Sequence, residues 1–412
     1  MKKFFAGVAC LMLTILVLEA QSIYSFEGLG SLEHQGMPNN FGMGEVGIGT
    51  PTIWHVNTQN PANLVYNNFS TFQLGTEFET RRFTNTEISG TDTNGGLRFL
   101  TYAFPIMPGK WSSSFGILPY SSVKYNTFSE GPVAGNDEIT QVSDNRGDGG
   151  LTNFYWANGF KVFNKLLVGV RANYTFGSIN KGSTIQLEDL NVPLTTVSYR
   201  DQESYSDINF QFGLGYRHML TEEKYLNFGA IYSPSSDLNG TSVLSLSRLN
   251  IGREVDELEV STTNVDRKLP TIFGLGMSYQ NQNLITIGID LEMQQWSNVA
   301  RSTDSFDNFS KIALGMDWIP DYDDVNSYFQ RARYSFGINR TRLPYIVNNQ
   351  TLTDFGINFG ASLPVSGFSS LDLAAKVGRL GQSGDVLVRE NYFKIVIGAT
   401  INDRWFIQRR YD

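Results

Sequence analysis

Leu167-Val168-Gly169-Val170-Arg171-Ala172-Asn173-Tyr174-Thr175-Phe176 alternates residue by residue between two kinds of side chain. Val168, Val170, Ala172, Tyr174 and Phe176 share one face, and Gly169, Arg171, Asn173 and Thr175 share the other. A period of two is that of a β-strand, whose successive side chains point to opposite sides. The pattern returns at 208–217, where Ile208, Phe210, Phe212, Leu214 and Tyr216 oppose Asn209, Gln211, Gly213, Gly215 and Arg217. It returns at 285–292, with Ile285, Ile287, Ile289 and Leu291 against Thr286, Gly288, Asp290 and Glu292, and again at 355–363.

Outward from these stretches the reading places about fourteen strands, near 69–82, 96–105, 111–126, 150–163, 165–178, 204–219, 224–248, 269–280, 283–298, 308–319, 328–341, 351–363, 369–379 and 390–401. Their connections alternate in length. Phe163-Asn164-Lys165, Thr221-Glu222-Glu223, Gln280-Asn281-Gln282 and Val365-Ser366-Gly367 are tight turns, whereas 127–149, 179–203 and 249–268 are long and polar. Short turns at one end, long loops at the other and an even strand number describe an all-β transmembrane antiparallel barrel. Its apolar face meets lipid. Its polar face, with Arg171, Asn173, Asn209, Gln211, Arg217, Asp290 and Glu292, lines the lumen. Trp111, Tyr120, Trp156, Tyr279, Trp296, Trp318 and Trp405 suit interfacial girdles. Composition agrees: 13% aromatic residues and 40 glycines accompany only 17% charged residues among 412. A net charge of −8 gives no footprint for nucleic acid.

The ends read differently. Lys2 and Lys3 precede an apolar run from Phe4 to Leu18, with a cleavage point after Ala20, so 1–20 is expected to be a secretory signal peptide. Cleavage there removes Cys10, the sole cysteine, and leaves an exported chain without disulfides. Residues 21–68 alternate poorly, contain Pro38, Pro51 and Pro61, and precede the barrel, expected over 69–407. They either hang in the periplasm or fold back as a lumenal hatch. Residues 408–412 form a short tail.

Two stretches in this segment carry a family resemblance. Gly42-Met43-Gly44-Glu45-Val46-Gly47-Ile48-Gly49, then Asn60-Pro61-Ala62-Asn63-Leu64 leading into Phe69–Gly75, resembles the start of the FadL-type outer-membrane transporters. Leu269-Pro270 with Gly274-Leu275-Gly276, Gln295-Trp296-Ser297 and Ala313–Asp317 are similar to later parts of that family. Glu390–Lys394 and Asn402–Phe406 resemble its Bacteroidetes-type members, with Ile407–Asp412 continuing past the usual aromatic end. The resemblance implies the bacterial outer membrane, a fourteen-stranded barrel and a lumenal hatch, here Gly42, Gly44, Gly47, Asn60, Pro61 and Ala62. It further implies uptake of hydrophobic small molecules with lateral exit at a kink in the third strand. That strand carries Leu118-Pro119-Tyr120, where a proline unable to donate to the ladder would leave a gap. The plainer reading makes Pro119 a strand end.

Other constellations weigh less. Gly42-x-Gly44-x-x-Gly47 matches a dinucleotide fingerprint but lacks the flanking strand and helix. His34, His55 and His218 are scattered and show no metal-ligand spacing, no Gly-x-Ser-x-Gly elbow occurs, and Asp144–Asp148 and Asp321–Asp324 match no calcium loop. No catalytic residue, metal or cofactor is expected, and the chain is not expected to be an enzyme. Two functions follow. The first is hatch-gated passive uptake of hydrophobic small molecules, with apolar residues such as Leu64, Leu100 or Ile106 building a pocket. The alternative, suggested by the polar lumen, is a closed barrel serving as a structural subunit of an outer-membrane secretion or assembly complex. Expected partners are outer-membrane lipid, hydrophobic small molecules, or other outer-membrane or periplasmic proteins.

Overall fold

The computed structural model describes residues 22–404, apart from 85–88, 134–135, 164, 189–194, 251–252, 283, 301–305, 367–368 and 382–387. The expected signal peptide over 1–20 with Cys10, the girdle candidate Trp405 and the expected tail over 408–412 therefore lie outside the described residues. The remainder is a closed antiparallel barrel of 14 strands. They are β1 (Ser70–Thr84), β2 (Ser89–Met107), β3 (Trp111–Ser122), β4 (Asn136–Lys161), β5 (Leu166–Glu188), β6 (Thr195–Met219) and β7 (Lys224–Ser233). These are followed by β8 (Ile272–Asn281), β9 (Ile285–Gln294), β10 (Phe309–Trp318), β11 (Arg333–Val347), β12 (Gln350–Ser366), β13 (Ser369–Leu380) and β14 (Arg389–Asp403). Each strand pairs with its sequence neighbour. β14 returns to β1 in register from Ser70↔Asp403 to Thr84↔Arg389, which closes the sheet and removes its edges.

The alternation fixes the two faces. Arg171, Asn173 and Gln211 are buried inside, while Phe210, Phe212 and Leu214 on β6 and Ile287, Ile289 and Leu291 on β9 are exposed on the outside. Such an apolar outer band belongs against hydrocarbon. No described helix is long and apolar enough to cross a membrane.

The three polar stretches expected as long loops are mostly strand. β4, β5 and β6 run 26, 23 and 25 residues, where roughly 9–11 suffice to cross a bilayer. Pairs from Thr140↔Glu188 to Asp148↔Asn180 continue the β4–β5 ladder beyond the apolar band. There both faces meet water, so the hydropathy alternation disappears although the backbone pairing continues. The strands expected at 111–126 and 224–248 are interrupted: Tyr125–Val133 resumes after β3, and Ser236–Leu238 and Gly240–Asn250 resume after β7. Trp296 departs from the expected girdle. It is buried, and its indole N–H donates to Gln294 Oε1 at 2.8 Å.

Before β1 the chain forms a 3₁₀ turn (Ile23–Phe26), a two-residue strand (Ser31–Leu32), the helix α1 (Pro38–Gly42) and a second 3₁₀ turn (Pro61–Tyr66). Pro38 and Pro61 open their turns at the position where a missing N–H costs nothing. Residues 36–51 are buried without a break, packed against the inward faces of the strands.

Candidate functional site

The lumen wall is lined with glycine where the N-terminal segment crosses it. Register pairs Gly159 with Gly169, Gly169 with Gly213, Gly288 with Gly315, and Gly315 with Gly337. A Cβ on Gly315 would stand 1.9 Å from Met43 O, one on Gly229 2.0 Å from Ile48 O, and one on Gly169 2.3 Å from Ala62 N. The wall is thus bare of side chains so that backbone lies directly on backbone. Sequence reasoning placed Gly169, Gly213 and Gly288 on the inward face but assigned them no role. Their signal is glycine recurring at inward positions of adjacent strands.

The segment's own glycines match this wall. A Cβ on Gly42 would meet Gly360 Cα at 2.8 Å; Gly44, at φ +69°, comes as close to the β11 backbone. The next residue, Glu45, is also left-handed at φ 74°, uncommon without glycine. Gly47, Ile48 and Gly49 turn their N–H groups to the Asp290 carboxylate at 2.6, 2.7 and 3.4 Å. Asn60 caps the second 3₁₀ turn by accepting from Ala62 N at 3.1 Å, and its Nδ2 donates to Ile48 O and Leu214 O. Pro61 and the buried Ala62 then sit on Gly159 and Gly169.

The other lumen residues divide in two. Arg171 donates to Thr58 O, and Gln211 to Gln59 O at 3.3 Å, so both hold the segment. Asn173 and Asn209 bond to each other at 2.8 Å, and Asn209 continues to Thr175. Arg217 lies at the turn end, bonded to Asn227 and Gln280, with its guanidinium 4.0 Å from the Tyr66 ring centroid. Glu292 accepts Lys311 at 3.3 Å.

Two ion networks join the segment to the wall. Glu45 meets Lys376 at 3.0 Å and Lys311 at 3.9 Å, and Lys376 also meets Asp354 at 3.1 Å. Burial alone would raise the Glu45 carboxyl; Lys376, His34 and Lys311 outweigh it and hold it well below the usual range. In the second network Arg98 bridges Glu33 of the segment to Glu77, and Lys394 bridges Glu77 to Glu79. Ser22 and Ile23 both donate to Glu390, which also pairs with Arg81. Sequence reasoning missed Glu45, Arg98, Lys311 and Lys376, because their partners lie far away along the chain. A cavity of about 240 Å³ remains between segment and wall, lined by Glu33, Glu45, Arg98, Lys311 and Lys376 among others. Its other side is apolar, with Leu32, Phe41, Ile48, Ile231, Ile272 and Phe309, whereas Leu64, Leu100 and Ile106, the residues expected to build a pocket, do not line it. Leu64 is packed solid with Met37, Phe41, Val56 and Phe99, and Ile106 faces outward.

Leu118, Pro119 and Tyr120 stand at a seam. Pro119 pairs with Thr152 of β4, and a bulge at Tyr120 follows before Ser121 pairs with Leu151. On the other edge of β3 the ladder to β2 stops at Leu100↔Ile117. The vacant positions are taken by the chain itself: Ser31 pairs with Ser122 and Leu32 with Ser121. Glu33 N donates to Tyr120 O at 2.9 Å and Gln35 Nε2 to Pro119 O at 2.7 Å. Leu118 points inward into the cluster around Leu64.

His34 and His55 go to different partners, Gln59 and Asp372, at 2.9 and 3.1 Å. Asp148 accepts from Asn180, and Asp321 and Asp324 accept backbone N–H groups of their own loop.

The sequence model of the BamG family matches residues 1–412. The chain belongs to the BamG family. No curated protein matches this BamG-family sequence significantly. Among solved structures it is similar to the toluene transporter TodX of Pseudomonas putida, with 14% identity and a TM-score of 0.59 over 90% of this chain and 99% of that one. The Ralstonia pickettii toluene transporter TbuX gives 15% and 0.57 over 90% and 99%. A Pseudomonas aeruginosa FadL homologue gives 11% and 0.57 over 90% and 98%. The BamG-family chain therefore has the FadL-type barrel fold.

Proposed function

We propose that this chain is a closed outer-membrane barrel that serves as a structural subunit of a larger outer-membrane assembly or secretion complex, with residues 22–68 as its hatch. The observation that carries the reading is the filled lumen. Segment backbone lies against wall backbone at Gly315, Gly229 and Gly169, and the small space left over, apolar on one side, has the buried ion pairs of Glu33, Glu45, Arg98, Lys311 and Lys376 along the other. An apolar molecule there would have to desolvate those charges without compensating them. The family that spans the whole chain is also named apart from the transporters that share its fold. Gentle detergent extraction followed by affinity capture tests the reading: partners at fixed stoichiometry are expected, and a barrel that always emerges alone argues against it.

One observation favours a second reading, passive uptake of hydrophobic molecules. Beyond Leu100↔Ile117 the β2–β3 ladder stops and the freed edge of β3 is paired by Ser31–Leu32, and two barrels of this fold are named toluene transporters. Release of those two residues would open a sideways path at Pro119. Toluene uptake by protein-loaded liposomes, compared with empty ones, tests it.

A further inference from the structure

The outer face of the barrel carries a polar feature that neither reading uses. Arg82 on β1, Asn391 on β14 and Arg379 on β13 are directly opposite one another in register, and all three are exposed on the outside. The next outward positions along the same strands are Thr80, Phe393 and Val377, also in register. Together with Phe355 they border an outward-facing groove of about 430 Å³. One end of the groove is thus cationic and hydrogen-bonding, and the rest is apolar. Arg82 and Arg379 have no carboxylate partner among the described residues, in contrast to Arg81 and Arg98 inside. The line continues through Phe355 to another outward arginine, Arg340.

We propose that this groove binds a phosphate-bearing lipid of the outer-facing leaflet, its phosphate held by Arg82, Asn391 and Arg379 and one acyl chain lying over Val377 between Phe355 and Phe393. Three arguments support that occupant. Arg82 and Arg379 lie near the strand ends opposite the short turns, the end that faces outward in such barrels. Strands two apart are separated by about 10 Å, so two long guanidinium side chains can close on one phosphate lying over the strand between them. Guanidinium matches phosphate geometry in a way that an ammonium does not. An arginine that only snorkels to water needs neither a partner two strands away nor a groove beneath it.

The test uses the full chain in detergent micelles, analysed by native mass spectrometry with two probes: bis-phosphorylated lipid A and the same lipid after enzymatic dephosphorylation. The folded protein should retain one phosphorylated lipid at least about tenfold more than the dephosphorylated form, as charge-assisted contacts require. The double variant Arg82→Gln/Arg379→Gln should lose that preference while keeping heat-modifiable migration, since neither side chain faces the lumen. Val377→Trp, which fills the groove and leaves the arginines, should lower retention of both lipids together. Equal retention of the two lipids by the unaltered protein overturns the proposal without reference to any variant. So does an unchanged preference in the double variant, or full displacement of the lipid by inorganic phosphate alone, which would indicate a phosphate site without a lipid.

Discussion

Asp290 holds a run of three backbone donors with one carboxylate, and the run is the stretch that was quoted for its glycines. Removing it by Asp290→Ala leaves those buried N–H groups without a partner. A buried donor without a partner costs about 1–3 kcal/mol, and the three share one turn of chain, so a total of about 3 kcal/mol is expected. Asp290→Asn keeps an oxygen and should cost less than half as much. Urea unfolding in lipid vesicles measures both; a negligible loss for Asp290→Ala would mean that the carboxylate is not the anchor. Glu45 makes the complementary case. Glu45→Gln leaves Lys376 and Lys311 buried against weakened compensation, and breaking such a pair costs about 3–5 kcal/mol. Losing the exposed Arg146–Asp144 pair through Arg146→Ala should cost under about 1 kcal/mol in the same assay. Asp290 was legible as a lumen residue from its strand's alternation. Its partner was not, because Gly47 lies 243 positions away and local pattern carries no information about such distances.

At the scale of elements, the seam between β2 and β3 is where strand reading and structure part most usefully. Pro119 reads in the sequence either as a gap in the ladder or as a strand end; in the structure it pairs with Thr152, and β3 runs on to Ser122 with a bulge at Tyr120. The open edge nevertheless belongs to the β2 side, and what fills it comes from Ser31–Leu32, too short to leave any alternation of its own. The polar strand extensions were hidden for a related reason: with water on both faces they keep the pairing and lose the pattern. Leu32 and Ser121 are directly opposite, with Cβ atoms expected about 4.5–5.5 Å apart, within reach of a disulfide after small adjustment. Leu32→Cys/Ser121→Cys should therefore cross-link on mild oxidation, seen as a mobility shift reversed by reductant. In a structural subunit the cross-linked protein should still capture its partners in full. In a transporter with a lateral exit it should stop toluene uptake, and reductant should restore it.

For the molecule as a whole, the question is whether barrel and filling are separable. The fourteen strands close on themselves through β14 and β1, and none of those ladders needs a bond from the segment, apart from the two positions it lends to β3. The wall, however, is shaped to the filling: a row of inward glycines is useless to an empty pore and weakens its strands, since glycine is a poor strand former. Deletion of residues 22–60 should thus leave an assembled, heat-modifiable barrel that is less stable than the full chain and open. In planar bilayers the full-length protein should be nearly silent, and the truncated one should conduct ions in discrete steps. Buried acidic and basic groups of both signs would then face the pore, so only weak ion selectivity is expected. A truncated barrel as silent as the parent would mean that the strands themselves collapse inward, and the segment would no longer account for the closed lumen. Gly315→Val is the milder form of the same experiment. A Cβ 1.9 Å from Met43 O forces the segment off the wall without removing it. Intermediate conductance with the strand content unchanged is the result that ties closure to that one contact.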